Sequence, residues 1–300
     1  MGGYRLKKMV YDHSCNKQKN KTMSEKKAQK EHDAFSGENV KNTKYGILAS
    51  SIDIESLPDH KKPNQVRDEI PTLNRCGYMK SKLEFFGETF IDLAKVSNKP
   101  ALEVGCAYGW LTHQVLETDS EIVASDISRE HLEITLKDAP HNKLDNLYIS
   151  KGSFPEEVSF DNESFDVVMA SRIIHFLKGE DVKKGLDKIH SWLTPNGALI
   201  CTNCSIYHSS VKEKMSKIFE ERIQNKEEWA GLTQQDSFDS VHDDYSHSFL
   251  NCFYKEQLEK LLPEHGFKIE EIRYFDYPGD PWPDEGKGHI GFVARKVAKN

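Results

Sequence analysis

In the stretch ALEVGCAYGW, Ala101 to Trp110, a short apolar run carries one carboxylate and then gives way to small residues at alternate positions. Glu103, Gly105, Ala107 and Gly109 make the pattern E-x-G-x-A-x-G. A strand that ends in a glycine turn and opens a helix lets a ligand approach bare backbone at the carboxyl end of a sheet. Glu103 would repel a pyrophosphate but suits a ligand with a cationic end. Further on, IVASDIS puts Asp126 at the end of the next apolar run, 17 residues past Gly109. An acid there can accept both hydroxyl hydrogens of a ribose.

Working outward, strands and helices alternate. The pattern predicts strands at Ala101–Val104, Glu121–Ser125, Asn146–Ser150, Phe165–Ala170 and Ala198–Thr202, with helices at Trp110–Thr118, Arg129–Asp138 and Asp181–Leu193 between them. This order implies a parallel sheet with helices on both faces. Upstream, YMKSKLEFFGETFIDLAKV from Tyr78 spaces Met79, Leu83, Phe86, Phe90 and Leu93 for one helix. Downstream, a helix at Lys255–Leu262 precedes strands at Phe267–Tyr274 and His289–Val297. The link between these two strands has no helix, so they pair antiparallel.

LEVGCAYGW, IVASDIS, FDVVMASRIIHFL and LTPNGAL, in this order, resemble the motifs of the class I S-adenosylmethionine-dependent methyltransferases. The similarity runs from about Tyr78 to Lys296, with an interruption at 206–249. The resemblance implies an α/β, doubly wound, Rossmann-like fold. Its seven-stranded sheet is mostly parallel with an antiparallel last strand, and a mainly helical insertion follows the fifth strand. It also implies S-adenosylmethionine as cofactor and S-adenosylhomocysteine as product. Glu103 would orient the methionyl end, and Gly105, Cys106, Ala107 and Gly109 would line the backbone beneath the ligand. Asp126 would hold the ribose and Ile127 would pack on adenine. Ser153, where many relatives have an acid, would meet the adenine edge, and Phe154 would stack on the base. Ala170, Ser171 and Arg172 would lie beside the reactive methyl.

Composition narrows the function classes. Residues 1–30 carry nine Lys and Arg against two acids, a net +7 in a chain whose total is −7, which leaves −14 on residues 31–300. So acidic a body does not fit a nucleic-acid-binding surface. Residues 1–70 lack sustained periodicity and are expected to form a flexible basic arm that orders in part near YGILASSIDI. Residues 71–205 and 250–300 are the expected methyltransferase domain, and 206–249 a substrate cap. In the cap, Val211, Met215, Ile218, Phe219 and Ile223 form a helical stripe that docks on the sheet's end, while Trp229, Phe238 and Tyr245 could close over a small substrate. Trp282 could add to the rim. No run of about 18 apolar residues marks a membrane span, and no secretory signal is evident. A cytoplasmic location and reduced cysteines are expected. The CTNC pair, Cys201 and Cys204, has metal-ligand spacing but no second pair, and the HDDYSH segment, His242–His247, reads as a solvated loop, so no metal is expected.

Methyl transfer from a sulfonium needs in-line positioning more than any single catalytic group. A base matters only where the nucleophile must lose a proton early. His175, after the fourth strand, and Tyr207 and His208, after the fifth, are the catalytic candidates. A small-molecule acceptor is expected, with a protein acceptor docked by the N-terminal arm as the alternative. A nicotinamide-dependent oxidoreductase fits the glycine pattern and Glu103 poorly, and a non-catalytic cofactor-binding protein is the remaining reading. Oligomeric state is not legible.

Overall fold

The computed structural model describes residues 34–65, 69–234, 249–279 and 284–298. In chain order the elements are β1 (Asn42–Thr43), β2 (Gly46–Leu48), β3 (Glu69–Pro71), β4 (Tyr78–Lys80), α1 (Phe85–Lys95), β5 (Ala101–Val104), α2 (Trp110–Leu116), β6 (Ile122–Asp126), α3 (Arg129–Asp138), β7 (Leu147–Lys151), β8 (Phe165–Ser171), α4 (Gly179–Trp192), β9 (Leu193–Cys204), α5 (Ser209–Gln224), α6 (Lys255–Glu264), β10 (Phe267–Phe275) and β11 (His289–Lys296). The main sheet runs β1-β2-β7-β6-β5-β8-β9-β11-β10. Strands β5 to β9 pair in parallel, and β11 inserts antiparallel between β9 and β10. The seven strands from β7 to β10 are thus the sheet the motifs imply, doubly wound and antiparallel at the last strand.

Side-chain alternation explains the two layers. On β5, β6 and β8, Ala101, Ile122, Ala124, Val167 and Met169 face α1, α2 and α3, where Phe86, Phe90, Val115, Leu132 and Leu136 are buried. The alternate residues, Leu102, Val104, Val123, Val168 and Ala170, face α4 and α6 through Val182, Leu186, Ile189, Trp192, Leu258 and Leu262. Full burial of such side chains stabilises by about 1.5–3 kcal/mol each. The same alternation turns Glu103 toward α2.

Near YGILASSIDI the arm orders as a hairpin of β1 and β2, and β2 pairs antiparallel with β7 through Ile47 and Ile149. This covers the edge that β7 would otherwise leave open. The helix expected from Tyr78 begins only at Phe85, where the Glu84 carboxylate caps it by accepting from Phe86 N at 2.8 Å and Gly87 N at 2.9 Å. Tyr78–Lys80 instead pairs with Glu69–Pro71 in a separate hairpin. In the insertion, Val211, Met215 and Phe219 of α5 are buried against Cys204, Ile206 and Cys252 at the end of β9, while Ile218 is exposed. The basic residues of 1–30, Phe238, the HDDYSH segment with Tyr245, and Trp282 lie outside the described residues.

Candidate active site

A cavity of about 270 Å³ opens at the carboxyl ends of β6, β5 and β8 and is roofed by the β3–β4 hairpin. The roof is tied to the sheet through both its strands: Tyr108 Oη donates to Pro71 O at 2.8 Å, and Arg172 Nη1 donates to Tyr78 O at 3.2 Å.

At β5, Glu103 is buried on the cavity wall, and Thr112 Oγ1 of α2 donates to its Oε2 at 2.5 Å. Burial pushes its carboxyl pKa up to about 7; the bonds from Thr112 oppose the rise and the charge of Asp126 adds to it. Beyond Glu103 the chain turns through left-handed residues, Gly105 (φ +75°), Ala107 (+48°) and Gly109 (+73°). At Gly105 a Cβ would lie 2.0 Å from Ile173 Cδ1, so only glycine fits below that side chain. Gly109 is glycine for another reason: a Cβ there would meet Thr135 Cγ2 at 2.4 Å, so it seats α2 on α3 and is absent from the cavity wall.

At β6, Asp126 closes the turn. Its Oδ2 accepts from Ala107 N at 2.9 Å, and its Oδ1 accepts from Ser128 N at 2.8 Å and His131 Nδ1 at 3.1 Å. The N-cap of α3 is Ser128, not Asp126. A carboxylate has about four acceptor positions, so one remains, on Oδ2, where two were expected. His131 was not anticipated. It is 1% exposed, lines the cavity, and its Nε2 has no hydrogen-bond partner. The histidine in SDISREH, one helical turn past the cap, was the available signal. Ile127 stands on the same wall with 55% of its surface exposed.

The remaining candidates divide. Cys106, Ser153, Ser171 and Arg172 line the cavity. Ala170 is buried behind it, its carbonyl accepting from Cys201 Sγ at 3.0 Å. Phe154 lines the cavity, and its ring lies toward α4, where a Cβ on Gly185 would lie 2.7 Å from Cζ, and meets Trp192 edge-on. His175 is buried off the wall, and its Nδ1 accepts from Cys204 N at 3.2 Å. His208 also lies off the wall. It caps α5, accepting from Ser210 N at 3.2 Å, and its Nε2 lies 3.9 Å from Asp284. Tyr207 packs edge-on against Tyr274. Trp229 packs on Gly179 of α4 rather than over the cavity. Among the described residues no cluster of three or more His, Cys, Asp or Glu could hold a metal, and Cys204 Sγ faces Cys252 Sγ at 3.8 Å. Among the same residues no helix is long and apolar enough to cross a membrane.

At β8 the wall becomes cationic and aromatic. Lys80 Nζ lies 2.8 Å from Glu69 Oε1, and the Arg172 guanidinium is 3.8 Å from the same oxygen. Tyr277 Oη bonds Thr202 Oγ1 at 3.0 Å, and burial pushes its phenol up to about 12, so it keeps its proton at neutral pH.

These groups fit S-adenosylmethionine by chemistry. A carboxylate stands for the ammonium, a spare acceptor on Asp126 and the orphaned His131 Nε2 stand for ribose hydroxyls, and an exposed isoleucine stands for the base. The fold and site define a nucleoside-binding transferase. Residues 95–266, more than half of the chain, match the methyltransferase-domain family model. The chain belongs to that family and is an S-adenosylmethionine-dependent methyltransferase. A S-adenosylmethionine-dependent methyltransferase from Methanosarcina mazei superposes with a TM-score of 0.51 at 15% identity, over 72% of this chain and 99% of that one. The CcbJ methyltransferase from Streptomyces caelestis gives 0.51 at 14%, over 71% and 94%. These likenesses speak for the fold. The malonyl-[acyl-carrier protein] O-methyltransferase of Halalkalibacterium halodurans is 28% identical over 111 residues, 36% of this chain, and the match spans 40% of that relative's length.

Proposed function

We propose that the chain transfers the methyl of S-adenosylmethionine to a nucleophilic atom of a small molecule held in the cavity under the β3–β4 hairpin. The observation that carries this reading is the roof itself. Tyr108 and Arg172 tether both hairpin strands over a space of about 270 Å³, the scale of a small molecule.

The cofactor, when bound, supplies an electrophilic methyl whose leaving group is a neutral thioether. Glu103 holds the ammonium in its ionised form, and Asp126 Oδ2 with His131 Nε2 accepts the ribose hydroxyls. Ile127 gives the adenine an apolar face, and Ser153 lies at its edge. Adjacent parallel strands are about 4.8 Å apart, so a ligand laid from β6 across β5 brings its methyl to the end of β8, beside Ser171 and Arg172. The hairpin excludes water there and fixes the acceptor in line with the methyl. At that end Lys80 and Arg172 are cations and Tyr277 is a protonated phenol. The wall therefore positions an acceptor whose nucleophile is already free of its proton or sheds it after transfer.

The test is transfer of labelled methyl from S-adenosylmethionine to a cell extract divided into small-molecule and protein fractions. Label in the small-molecule fraction supports the reading. Label confined to protein, and lost on removal of residues 1–33 with cofactor affinity kept, supports the docked-protein alternative instead.

A further inference from the structure

Two thiols lie outside the chemistry proposed for the cavity, and the backbone holds them side by side. Ser205, just past β9, and Phe253 form a parallel bridge: Phe253 N donates to Cys204 O at 3.0 Å, and Ile206 N donates to Phe253 O at 3.1 Å. Cys204 and Cys252 each stand one residue before the bridged pair, so they are neighbours in register. Neighbouring strands are about 4.8 Å apart, which falls within the roughly 4.4–6.8 Å between Cα atoms that a disulfide needs. Register also turns both side chains to one face, where they pack with Ile206 and Met215, while Phe253 packs on the other. Cys252 Sγ donates to Cys204 Sγ at 3.8 Å, and closing to a disulfide needs a further approach of about 1.8 Å.

The two sulfurs differ in reach and in charge. Cys204 keeps 8% of its surface exposed and Cys252 none. The hydrogen bond from Cys252 brings the Cys204 thiol below its ordinary value, with burial opposing and the charges of His208 and Arg172 assisting. Burial instead pushes the Cys201 thiol up to about 12 and Cys106 well above the ordinary value. Cys204 is therefore the thiol that a small oxidant reaches as a thiolate, and Cys252 the one that resolves it. Cys204 is fixed in β9, paired with His289 of β11, so the approach falls on the segment of Cys252. The residue before it, Asn251, donates from N to His175 O at 2.8 Å and from Nδ2 to Leu177 O at 3.3 Å. Phe176 and Leu177 line the acceptor end of the cavity, so a shift at Cys252 passes to that wall. Glu103 and Asp126 take their side-chain hydrogen bonds from α2, α3 and the turns that lead into them.

We propose that Cys204 and Cys252 form a peroxide-sensitive dithiol whose disulfide shifts the cavity wall at Phe176 and Leu177 and so slows methyl transfer. Calling that wall the acceptor end rests on the proposed function. In the first step the Cys204 thiolate attacks one oxygen of hydrogen peroxide, the O–O bond breaks, and the leaving oxygen takes a proton and departs as water. Cys204 is then a sulfenic acid. Cys252 attacks its sulfur, the S–O bond breaks, and the hydroxyl leaves as a second water with the Cys252 proton. Two thiols give up two electrons, and the peroxide accepts them. A dithiol reductant reverses the change by exchange and ends as a disulfide itself.

The experiment treats the full chain with hydrogen peroxide and then with dithiothreitol. Alkylation and peptide mass mapping locate the disulfide, and methyl NMR follows Leu177, with Ile127 as the control at the cofactor end. The expected result is a bond between Cys204 and Cys252, a moved Leu177 methyl signal, an unmoved Ile127, and S-adenosylhomocysteine affinity kept within threefold, all reversed by dithiothreitol. Cys204→Ser and Cys252→Ser should each abolish the Leu177 response, and two variants guard against a folding defect in either. No disulfide, a disulfide between other cysteines, sulfinic acid at Cys204 in its place, or the bond formed with Leu177 unmoved overturns the inference. Transfer of labelled methyl to the small-molecule fraction should fall at least fivefold in the oxidised chain, and unchanged transfer overturns the effect on the reaction. A chain that transfers no label when reduced fails the proposed function alone, because mass mapping and NMR still read the dithiol and its wall.

Discussion

Titrating the protein with S-adenosylmethionine between pH 6 and 7.5 tests whether Glu103 meets the ligand's ammonium. The carboxyl is 5% exposed and its one side-chain donor is Thr112, so burial raises its pKa from 4.5 to about 7. With that value about a tenth of the carboxyl is ionised at pH 6 and about three quarters at pH 7.5. A contact that needs the carboxylate therefore weakens about eightfold on going from pH 7.5 to pH 6, or about 1.2 kcal/mol. The free protein runs the other way. A carboxyl whose folded pKa lies above its unfolded one contributes stability that is fully present below pH 4.5 and lost as the pH rises through about 7. The full shift corresponds to about 3 kcal/mol. Calorimetric titration of wild type and Glu103→Gln reads the first effect, and denaturant melts of both without ligand read the second. A flat affinity in the wild type, or the same slope in Glu103→Gln, refutes the reasoning.

Three further outcomes are expected. Asp126→Ala should weaken cofactor binding by roughly 1–3 kcal/mol, since it removes the partner of Ala107 N and the acceptor proposed for a ribose hydroxyl; unchanged affinity by calorimetry would take Asp126 out of the site. Gly109→Ala should destabilise the fold by about 1–3 kcal/mol, because the new Cβ meets Thr135 from a left-handed backbone. Thermal melts check it, and Thr135→Ala in the same chain should restore part of the loss. His175→Ala should lower stability by about 1–3 kcal/mol, as Cys204 N loses its acceptor, and leave cofactor affinity in place. A fall in turnover at constant stability would instead put His175 back among the catalytic candidates.

The parallel sheet and the glycine turn were legible because local pattern and fold agree there. Ala101–Val104 and Arg129–Asp138 have the expected bounds, and a strand-long apolar run followed by a left-handed turn admits few other structures. The hairpin over the cavity was not legible. EIPTLNRCGYMK does contain turn residues, Pro71, Asn74 and Gly77, but its strands are three residues long. A period of two cannot emerge from three positions, and Met79 with Leu83 and Phe86 mimics a helix. The site split along the same line. Glu103 and Asp126 lie on strands, where register fixes direction. His175, Tyr207 and His208 follow strands in short connections, His175 in a 3-10 turn and His208 at the N-cap of α5, where the strand register no longer fixes which way a side chain points. His131 escaped notice because its role depends on Asp126 across the β6–α3 turn, a contact that spacing alone does not announce.

The short pairing of Ile47 with Ile149 sets an order of assembly on the ribosome. The partner strand leaves the tunnel about 100 residues after Ile47, which at roughly 5–20 residues per second is a wait of about 5–20 s. Through that interval the β1–β2 hairpin has no neighbour from the main sheet. The hairpin is thus installed well after it is made, and it seals the nascent sheet only after β7 has been made.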